Sequence, residues 1–86
     1  MSILVTLCIP TFNRCEFLGR SIRSALNQTF DKSKYEIIVV DDGSTDRTDI
    51  ILEAFKSEIK IIRNEKNIGL SKSLNRAILK SKGKYF

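Results

Sequence analysis

The 86-residue sequence contains no histidine, no tryptophan and only one proline. The absence of histidine excludes Ser-His-Asp and Cys-His nucleophile systems, His-ligated zinc and an imidazole general base, so carboxylate, hydroxyl and amide chemistry remains. Cysteine is scarce as well, because Cys8 and Cys15 stand alone, without CxxC spacing or a second pair. We therefore predict reduced thiols in a cytoplasmic protein, with neither a structural zinc site nor a disulfide framework.

Long apolar runs are also missing. The amino-terminal stretch ends at Pro10 and lacks the basic start of a signal peptide, far short of the roughly 20 residues that span a bilayer. With 42% apolar residues, the composition is that of an ordinary globular core. The length predicts a single domain over residues 1–86. Because the apolar stretch is short, we expect neither a targeting segment nor a membrane anchor.

The net charge of +5 is unevenly distributed, since residues 56–86 carry nine basic and two acidic side chains. Such a segment attracts anions, which include nucleic acid, an acidic membrane surface and phosphates. Lys72, Arg76 and Lys80 are four residues apart and fall away from the apolar stripe of their helix, which favours a solvated face. Weak contact with an anionic membrane is the functional alternative. No nucleic-acid partner is expected, because no aromatic residue interleaves the stripe.

Three segments are typical of buried strands, with β-forming residues on both faces: residues 3–9, 35–40 and 59–62. Three amphipathic helices separate or follow them. Their predicted inward residues are Leu18, Ile22, Ala25 and Leu26 in the first, Ile50, Ile51, Ala54 and Phe55 in the second, and Leu70, Leu74, Ala77 and Ile78 in the third. The second helix is expected to begin at Asp46, and the third to be capped by Ser71 and stopped by Gly83. Residues 84–86 are expected to begin a fourth strand.

This alternation predicts an α/β fold, a doubly wound, mainly parallel and Rossmann-like sheet with helices on both faces. In such sheets, ligands bind beyond the carboxyl ends of the strands. Three segments should meet there: residues 10–14, 41–46 and 64–69. The glycine-rich phosphate motifs GxGxxG and GxxxxGK[ST] are absent, so other groups would have to bind a phosphate.

Asp41 and Asp42 are the sharpest local signal at this edge. Consecutive strand residues point to opposite faces, so one carboxylate should face the crevice and the other should brace a turn. The alternative is that Asp-Asp-Gly-Ser is only a turn and a helix start. Phe12 is similarly open to two interpretations, as a residue at the edge of the core or as a surface that stacks on a nucleobase.

Four motifs together give a family resemblance. The segments 3–14 (ILVTLCIPTFNR), 27–30 (NQTF), 37–46 (IIVVDDGSTD) and 64–75 (NEKNIGLSKSLN), followed by Lys82 to Tyr85, resemble the amino-terminal part of a family 2 glycosyltransferase with the GT-A fold. The resemblance covers essentially all 86 residues. It implies an inverting transfer of sugar from a nucleotide-diphosphate donor, a UDP-sugar foremost, to an acceptor hydroxyl in polysaccharide or glycoconjugate synthesis. The chain would be the nucleotide-binding half of that enzyme.

The resemblance also implies roles for particular residues. Pro10, Thr11, Phe12 and Asn13 correspond to the turn that lies against the nucleobase and ribose. Asp42 corresponds to the acid that accepts a hydrogen bond from the base, typically uracil N3–H, with Asp41 in support. Gly69 and Asn75 match positions that shape the loop and helix near the ribose and diphosphate. Leu74 stands where many members have an arginine.

The family's catalytic machinery is expected to lie beyond this chain. Its metal-binding Asp motif follows the strand that residues 84–86 would begin, and the catalytic base lies further on. A divalent metal, Mn²⁺ or Mg²⁺, is therefore expected for the full-length enzyme, with no metal ligands and no catalytic residue here. We expect a fragment without transferase activity on its own, located in the cytoplasm or at the inner face of the membrane. Its acceptor, a sugar or a lipid-linked saccharide, is not indicated by the sequence.

Two other classes were weighed against this interpretation. A receiver-type signalling domain also places Asp-Asp after a strand, but it needs a phosphoacceptor Asp after the third strand, where Arg63 and Asn64 stand. A non-catalytic nucleotide-binding or interaction module remains the main alternative.

Because the fourth strand of the GT-A fold pairs with the first, we also predict self-association along the edge of the first strand.

Overall fold

A computed structural model describes residues 5–27, 34–81 and 83. They form an alternating series: β1 (Val5–Thr11), α1 (Cys15–Leu26), β2 (Tyr35–Asp41), α2 (Thr48–Phe55), β3 (Lys60–Arg63) and α3 (Leu70–Lys80). The three strands are parallel in the order β1-β2-β3. The predicted α/β alternation is confirmed. The first two residues of the predicted first strand and the predicted fourth strand at 84–86 lie outside the described residues.

Helices cover both faces of the sheet, as predicted. The alternating side chains of β2 divide the core into two clusters, because successive strand residues point to opposite faces. On one face, α1 and α2 pack Leu18, Ile22 and Leu52 against Ile37 and Val39. On the other, Ala77 of α3 packs against a smaller cluster of Ile38, Val40 and Ile62.

Thr6 of β1 and Glu36 of β2 are polar side chains that pair across the sheet. Thr6 of β1 is buried, and its hydroxyl donates to a carboxylate oxygen of Glu36 at 2.7 Å. Lys60 Nζ lies 2.8 Å from the other Glu36 oxygen. The hydroxyl of Thr6 also accepts a hydrogen bond from Gly83 N at 3.0 Å. The start of β1 is therefore held to β2, to β3 through Glu36, and to the segment after α3.

The prediction for the inward face of α2 is partly wrong. Ile50 is 60% exposed and Ala54 is exposed, whereas Leu52, which was not predicted to face inward, is completely buried. Thr48 is also completely buried, and its N–H and hydroxyl both donate to the Asp46 carboxylate. This contact sets the rotation of the helix, so that Thr48 and Leu52, one turn apart, point to the core.

The predicted inward face of α3 is wrong at two positions. Leu70 and Ile78 are 61% and 50% exposed, while Ser73 and Ala77 face the sheet. The hydroxyl of Ser73 is held by Asn64, a polar contact that periodicity of apolar residues does not register. The helix begins at Leu70 and ends at Lys80, so neither Ser71 nor Gly83 has its predicted end-capping role. Among the described residues, no helix is long and apolar enough to cross a membrane.

Candidate functional site

The three loops that follow the strands meet at the carboxyl edge of the sheet, as predicted. Asn13 joins the first loop to the second. Its side-chain Oδ1 accepts hydrogen bonds from Thr45 N at 2.8 Å and Asp46 N at 3.3 Å, and its own N–H donates to Ser44 Oγ at 2.9 Å. Asn13 has a φ of 51°, a left-handed conformation that asparagine tolerates better than most residues.

Asp46 joins the starts of two helices. Its carboxylate accepts hydrogen bonds from Cys15 N at the start of α1 and from the N–H and hydroxyl of Thr48 at the start of α2. Carboxylates are favoured at helix amino termini, where backbone N–H groups lack partners. The hydrogen bond from the Thr48 hydroxyl is the main reason that the pKa of Asp46 is lowered to about 2.

Asp41 and Asp42 are both buried, yet they act on different sides. Asp41 Oδ1 accepts a hydrogen bond from Ser44 N at 2.9 Å, so this side chain braces the turn. The Asp41 carbonyl accepts Asn64 N at 2.9 Å, which continues the pairing of β2 with the chain that leaves β3. The predicted division of labour within the pair therefore holds for the turn-bracing residue.

Asp42 turns to the third loop. Its Oδ1 accepts hydrogen bonds from Asn64 Nδ2 at 3.0 Å and Ile68 N at 2.7 Å, and its Oδ2 accepts Gly69 N at 3.0 Å. Burial favours the neutral acid, but these donors outweigh it and hold the pKa of Asp42 below its ordinary value. Asp42 is thus an ionised group, held in one orientation by the loop that it organises.

A second layer of contacts lies behind Asp42. Asn64 Nδ2 also donates to Ser73 Oγ at 3.0 Å, and Asn64 Oδ1 accepts a hydrogen bond from the guanidinium of Arg76. The same guanidinium donates to the carbonyl of Arg63 at 3.3 Å. Arg76 is exposed, as are Lys72 and Lys80, which agrees with the predicted solvated face, although the guanidinium of Arg76 also makes these two contacts.

A cavity of about 460 Å³ opens beside these loops, within the size range of small-molecule sites. Five of the predicted site residues line it: Pro10, Thr11, Phe12, Asp42 and Gly69. Phe12 is 42% exposed, so its ring is available to a ligand. The hydroxyl of Thr11 is buried and has no hydrogen-bond partner among the described residues.

Three predicted site residues do not line the cavity. The side chain of Asn13 accepts a hydrogen bond from Thr45 N, and the side chain of Asp41 accepts one from Ser44 N. Asn75 lies on the exposed surface of α3. Other lining residues were not predicted, among them Arg14, Phe17, Asn67 and Ser73. Arg14 directly follows the Pro-Thr-Phe-Asn turn, and this adjacency was the available signal. Asn67 lies in the loop of residues 64–69, which was predicted to meet at this edge, whereas the positions of Phe17 and Ser73 depend on how α1 and α3 are turned relative to the sheet.

The described residues do not provide a metal site. Within residues 5–27, 34–81 and 83, no group of three or more Asp, Glu, Cys or His side chains is placed to hold a metal ion. Asp41 and Asp42, the nearest acidic pair, are already bonded to protein donors on different sides. A hard cation such as Mn²⁺ or Mg²⁺ needs several oxygen ligands that converge, and this pair does not supply them.

Comparison with known proteins gives consistent matches. The sequence profile described as glycosyl transferase family 2 matches residues 6–86. The chain is 41% identical over 85 residues to an uncharacterised glycosyltransferase of Rickettsia prowazekii, covering 99% of this chain and 26% of that protein. It is 36% identical to the poly(ribitol-phosphate) β-N-acetylglucosaminyltransferase TarP of Staphylococcus aureus, covering 94% of this chain and 26% of TarP.

Solved structures agree with this match. TarS of S. aureus, crystallised with UDP-GlcNAc, superposes with a TM-score of 0.86 at 31% identity, over 94% of this chain and 24% of that one. A mannosyltransferase of Pyrobaculum calidifontis, crystallised with GDP-Man and Mn²⁺, has the same fold, with a TM-score of 0.85 at 22% identity, over 94% of this chain and 25% of that one. The sheet described above is therefore that of the GT-A glycosyltransferases.

The matches cover nearly all of this chain but only part of each related protein. The chain spans about a quarter of the length of the curated relatives it matches. Within that quarter, the family profile covers all but the first five residues. On the motifs, the topology and these matches, the chain belongs to glycosyl transferase family 2.

Proposed function

We propose that this chain binds the nucleotide of a sugar donor, UDP foremost, in a glycosyltransferase that transfers the sugar with inversion to an acceptor hydroxyl. The observation that carries the proposal is that one cavity is lined both by an exposed aromatic residue, Phe12, and by a buried ionised acid, Asp42. A flat aromatic surface stacks on a base of any kind, and a carboxylate accepts the N–H groups at a base edge. TarS, which was crystallised with UDP-GlcNAc, supports uridine as the nucleoside.

The remaining wall of the cavity suits a charged ligand. Arg14 is the cationic side chain among the described lining residues, and the structure gives its guanidinium no ion pair within the described part of the chain. We assign Arg14 to the diphosphate, because guanidinium groups bind phosphate oxygens through several N–H donors. This assignment is consistent with the family resemblance, in which Leu74 stands where many members have an arginine. Asn67, which also lines the cavity, offers an amide to the carbonyl groups of a base or to ribose.

The chemistry of transfer is assigned to other parts of the enzyme. A divalent cation would neutralise the leaving diphosphate, as Mn²⁺ in the crystals of the mannosyltransferase suggests, but the described residues do not fit that ion. We therefore derive no catalytic step from this chain and propose that it is inactive without a metal site and a base. For the acceptor we propose only a class, a sugar- or polyol-phosphate polymer of the kind that the name of TarP, a poly(ribitol-phosphate) β-N-acetylglucosaminyltransferase, specifies.

Titration calorimetry with UDP tests the proposal, after circular dichroism has shown that the 86-residue protein is folded. Phe12→Ala should weaken UDP binding about fivefold to 150-fold, because a base stacked on an aromatic side chain contributes about 1–3 kcal/mol. Phe12 is exposed, so the substitution removes little from the core. Leu79→Ala is the matched control, since Leu79 is an 84% exposed apolar residue outside the cavity. Wild-type affinity should be the same with and without Mn²⁺.

Three results would count against this function. The first is the absence of UDP binding by a folded sample. The second is equal weakening by Phe12→Ala and Leu79→Ala. The third is binding that requires Mn²⁺, because it would place metal ligands within a chain in which the described residues supply none. Affinity without sugar transfer, even in the full-length enzyme, would instead favour the alternative of a non-catalytic nucleotide-binding module.

The proposal includes a location in the cytoplasm or at the inner face of the membrane, and self-association of the protein. The free thiols of Cys8 and Cys15 suit the reducing cytoplasm, and the exposed Lys72 and Lys80 suit weak contact with the inner face of an anionic membrane. Within the described sheet, β1 pairs on one side only, with β2. We therefore retain self-association along β1 as a proposal, which sedimentation velocity tests directly; a monomer at high concentration would contradict it.

A further inference from the structure

The carboxylate of Asp42 is held by donors of two kinds. Two of them are backbone groups of the third loop, Ile68 N at 2.7 Å and Gly69 N at 3.0 Å, whose directions are set by the path of the chain. The other two are side chains, the Asn64 amide at 3.0 Å and the hydroxyl of Ser73. The hydrogen bonds of this second kind depend on how the two side chains are turned.

The Asn64 amide has two ends of nearly equal shape and opposite hydrogen-bonding character. In the observed orientation, its Nδ2 donates to Asp42 Oδ1 and to Ser73 Oγ, each at 3.0 Å. A half-turn of the amide would place its oxygen against the carboxylate, acceptor against acceptor, and would offer the Ser73 hydroxyl another acceptor. Because Asn64 is only 7% exposed, water would do little to relieve that repulsion.

Arg76 selects between these two orientations. Its guanidinium, which has donors only, donates to Asn64 Oδ1 and, at 3.3 Å, to the carbonyl of Arg63. Since Arg63 is the last residue of β3, the guanidinium is tied to the sheet as well as to the amide. A group without acceptors cannot bond the N–H₂ end of the amide, so Arg76 favours the orientation in which Asn64 donates to Asp42.

We propose that Arg76 is a positioning residue for nucleotide binding, which fixes the Asn64 amide and, through it, the carboxylate of Asp42. The inference rests on the proposed nucleotide-binding function, because Asp42 lines the cavity in question. Neither Arg76 nor Asn64 is among the described residues that line it. Apart from the long-range effect of its charge on an anionic ligand, Arg76 therefore acts on affinity through Asn64 and Asp42.

Calorimetric titration with UDP tests the inference in variants that differ in the donor at position 76. Arg76→Met removes every donor at an exposed position and should weaken UDP binding about fivefold or more. Arg76→Lys retains a donor-only cation and should recover most of that loss. Lys72→Met is the matched control, because it removes the same charge from an exposed position one turn earlier on α3. It should weaken UDP binding less than about twofold.

A double-mutant cycle separates positioning from general support of α3. In an Asn64→Ala background, Arg76→Met should weaken UDP binding less than about twofold further, because the amide through which Arg76 acts is gone. A residue that only stabilised the helix would weaken binding by the same factor in both backgrounds. If Asn64→Ala does not fold, the comparison of Met and Lys at position 76 decides.

Three results would overturn the inference. One is equal weakening by Arg76→Met and Lys72→Met, which would leave only an effect of charge. Another is an Arg76→Lys variant that binds UDP as poorly as Arg76→Met. The third is an additive cycle with Asn64→Ala. Each of these leaves the proposed function intact, whereas a folded wild-type protein that binds no UDP refutes that function and this inference with it.

Discussion

Gly43 lies where two of the site loops touch. It has a φ of 79°, and a Cβ added to it would lie 2.6 Å from Asn67 N and 2.6 Å from the carbonyl carbon of Lys66. Both are backbone atoms, which cannot swing aside as a flexible side chain would. Gly69 supplies an internal reference, because its φ is 94° but an added Cβ would meet no described atom within 4 Å. Gly43→Ala and Gly69→Ala therefore share backbone strain, and only the first forces the loops apart.

The difference between the two variants can be estimated from these contacts. Strained backbone of this kind costs about 1–3 kcal/mol at either glycine. Normal van der Waals separation requires residues 66–67 to retreat by about 0.8 Å from the new Cβ. Such a retreat would stretch the bond from Ile68 N to Asp42, now 2.7 Å, beyond the range of a good hydrogen bond. Loss of a charge-assisted bond adds about 1.5–3 kcal/mol, so Gly43→Ala should be the more destabilising by about that amount.

Urea unfolding followed by far-ultraviolet circular dichroism measures the effect in a protein without tryptophan. At about 0.05–0.15 kcal/mol per residue, the whole chain is stable by only about 4–13 kcal/mol, so the expected difference is readily measured. Free energies of unfolding that agree within about 0.5 kcal/mol for the two variants would refute the reasoning, because they would show that the 42–46 and 64–69 loops are not held in close contact.

Two further predictions concern the junction of the first and second loops. Asn13→Ala removes the acceptor for Thr45 N and Asp46 N at a left-handed position and should cost about 1–3 kcal/mol, whereas Asn13→Asp keeps both features and should cost less than about 0.5 kcal/mol. Equal losses in urea unfolding would contradict this. The pKa of Asp46 is about 2 when folded, against about 3.9 when unfolded, so its stabilisation is complete above pH 4 and is lost as the pH falls towards 2. Melting temperatures of Asp46→Asn should therefore fall less steeply than those of the wild type over that range; parallel curves would exclude the role of this carboxylate.

Much of the fold could be predicted because its signals are local. The strands of residues 35–40 and 59–62 carry apolar side chains on both faces, which only a covered parallel sheet accommodates, and the structure places them in β2 and β3 within one residue at each end. The alternation of strands and helices then leaves few topologies open. The opposite directions of Asp41 and Asp42 follow equally from strand geometry, which needs no knowledge of the rest of the molecule.

The rotation of α2 and α3 could not be predicted in the same way. Apolar periodicity assigned Ile50, Leu70 and Ile78 to the core, but polar contacts made by Thr48 and Ser73 turned these helices so that other residues face inward. Each of those contacts joins a helix to a side chain that a turn or a neighbouring strand brings to it. The apolar periodicity of a helix gives no information about a polar partner that lies outside that helix.

The sequence by itself determined the order of strands and helices, the family motifs and the edge at which the loops meet, because strand pattern, turn chemistry and chain connectivity act over short distances. Tertiary structure alone decided which groups complete the site. Asn64 and Arg76 stand 22 and 34 positions from Asp42, and the fold brings their side chains into a single hydrogen-bonded series behind its carboxylate. Hydrogen bonds between distant side chains depend on the packing of α3 over β2, and this packing exists only once the sheet has formed.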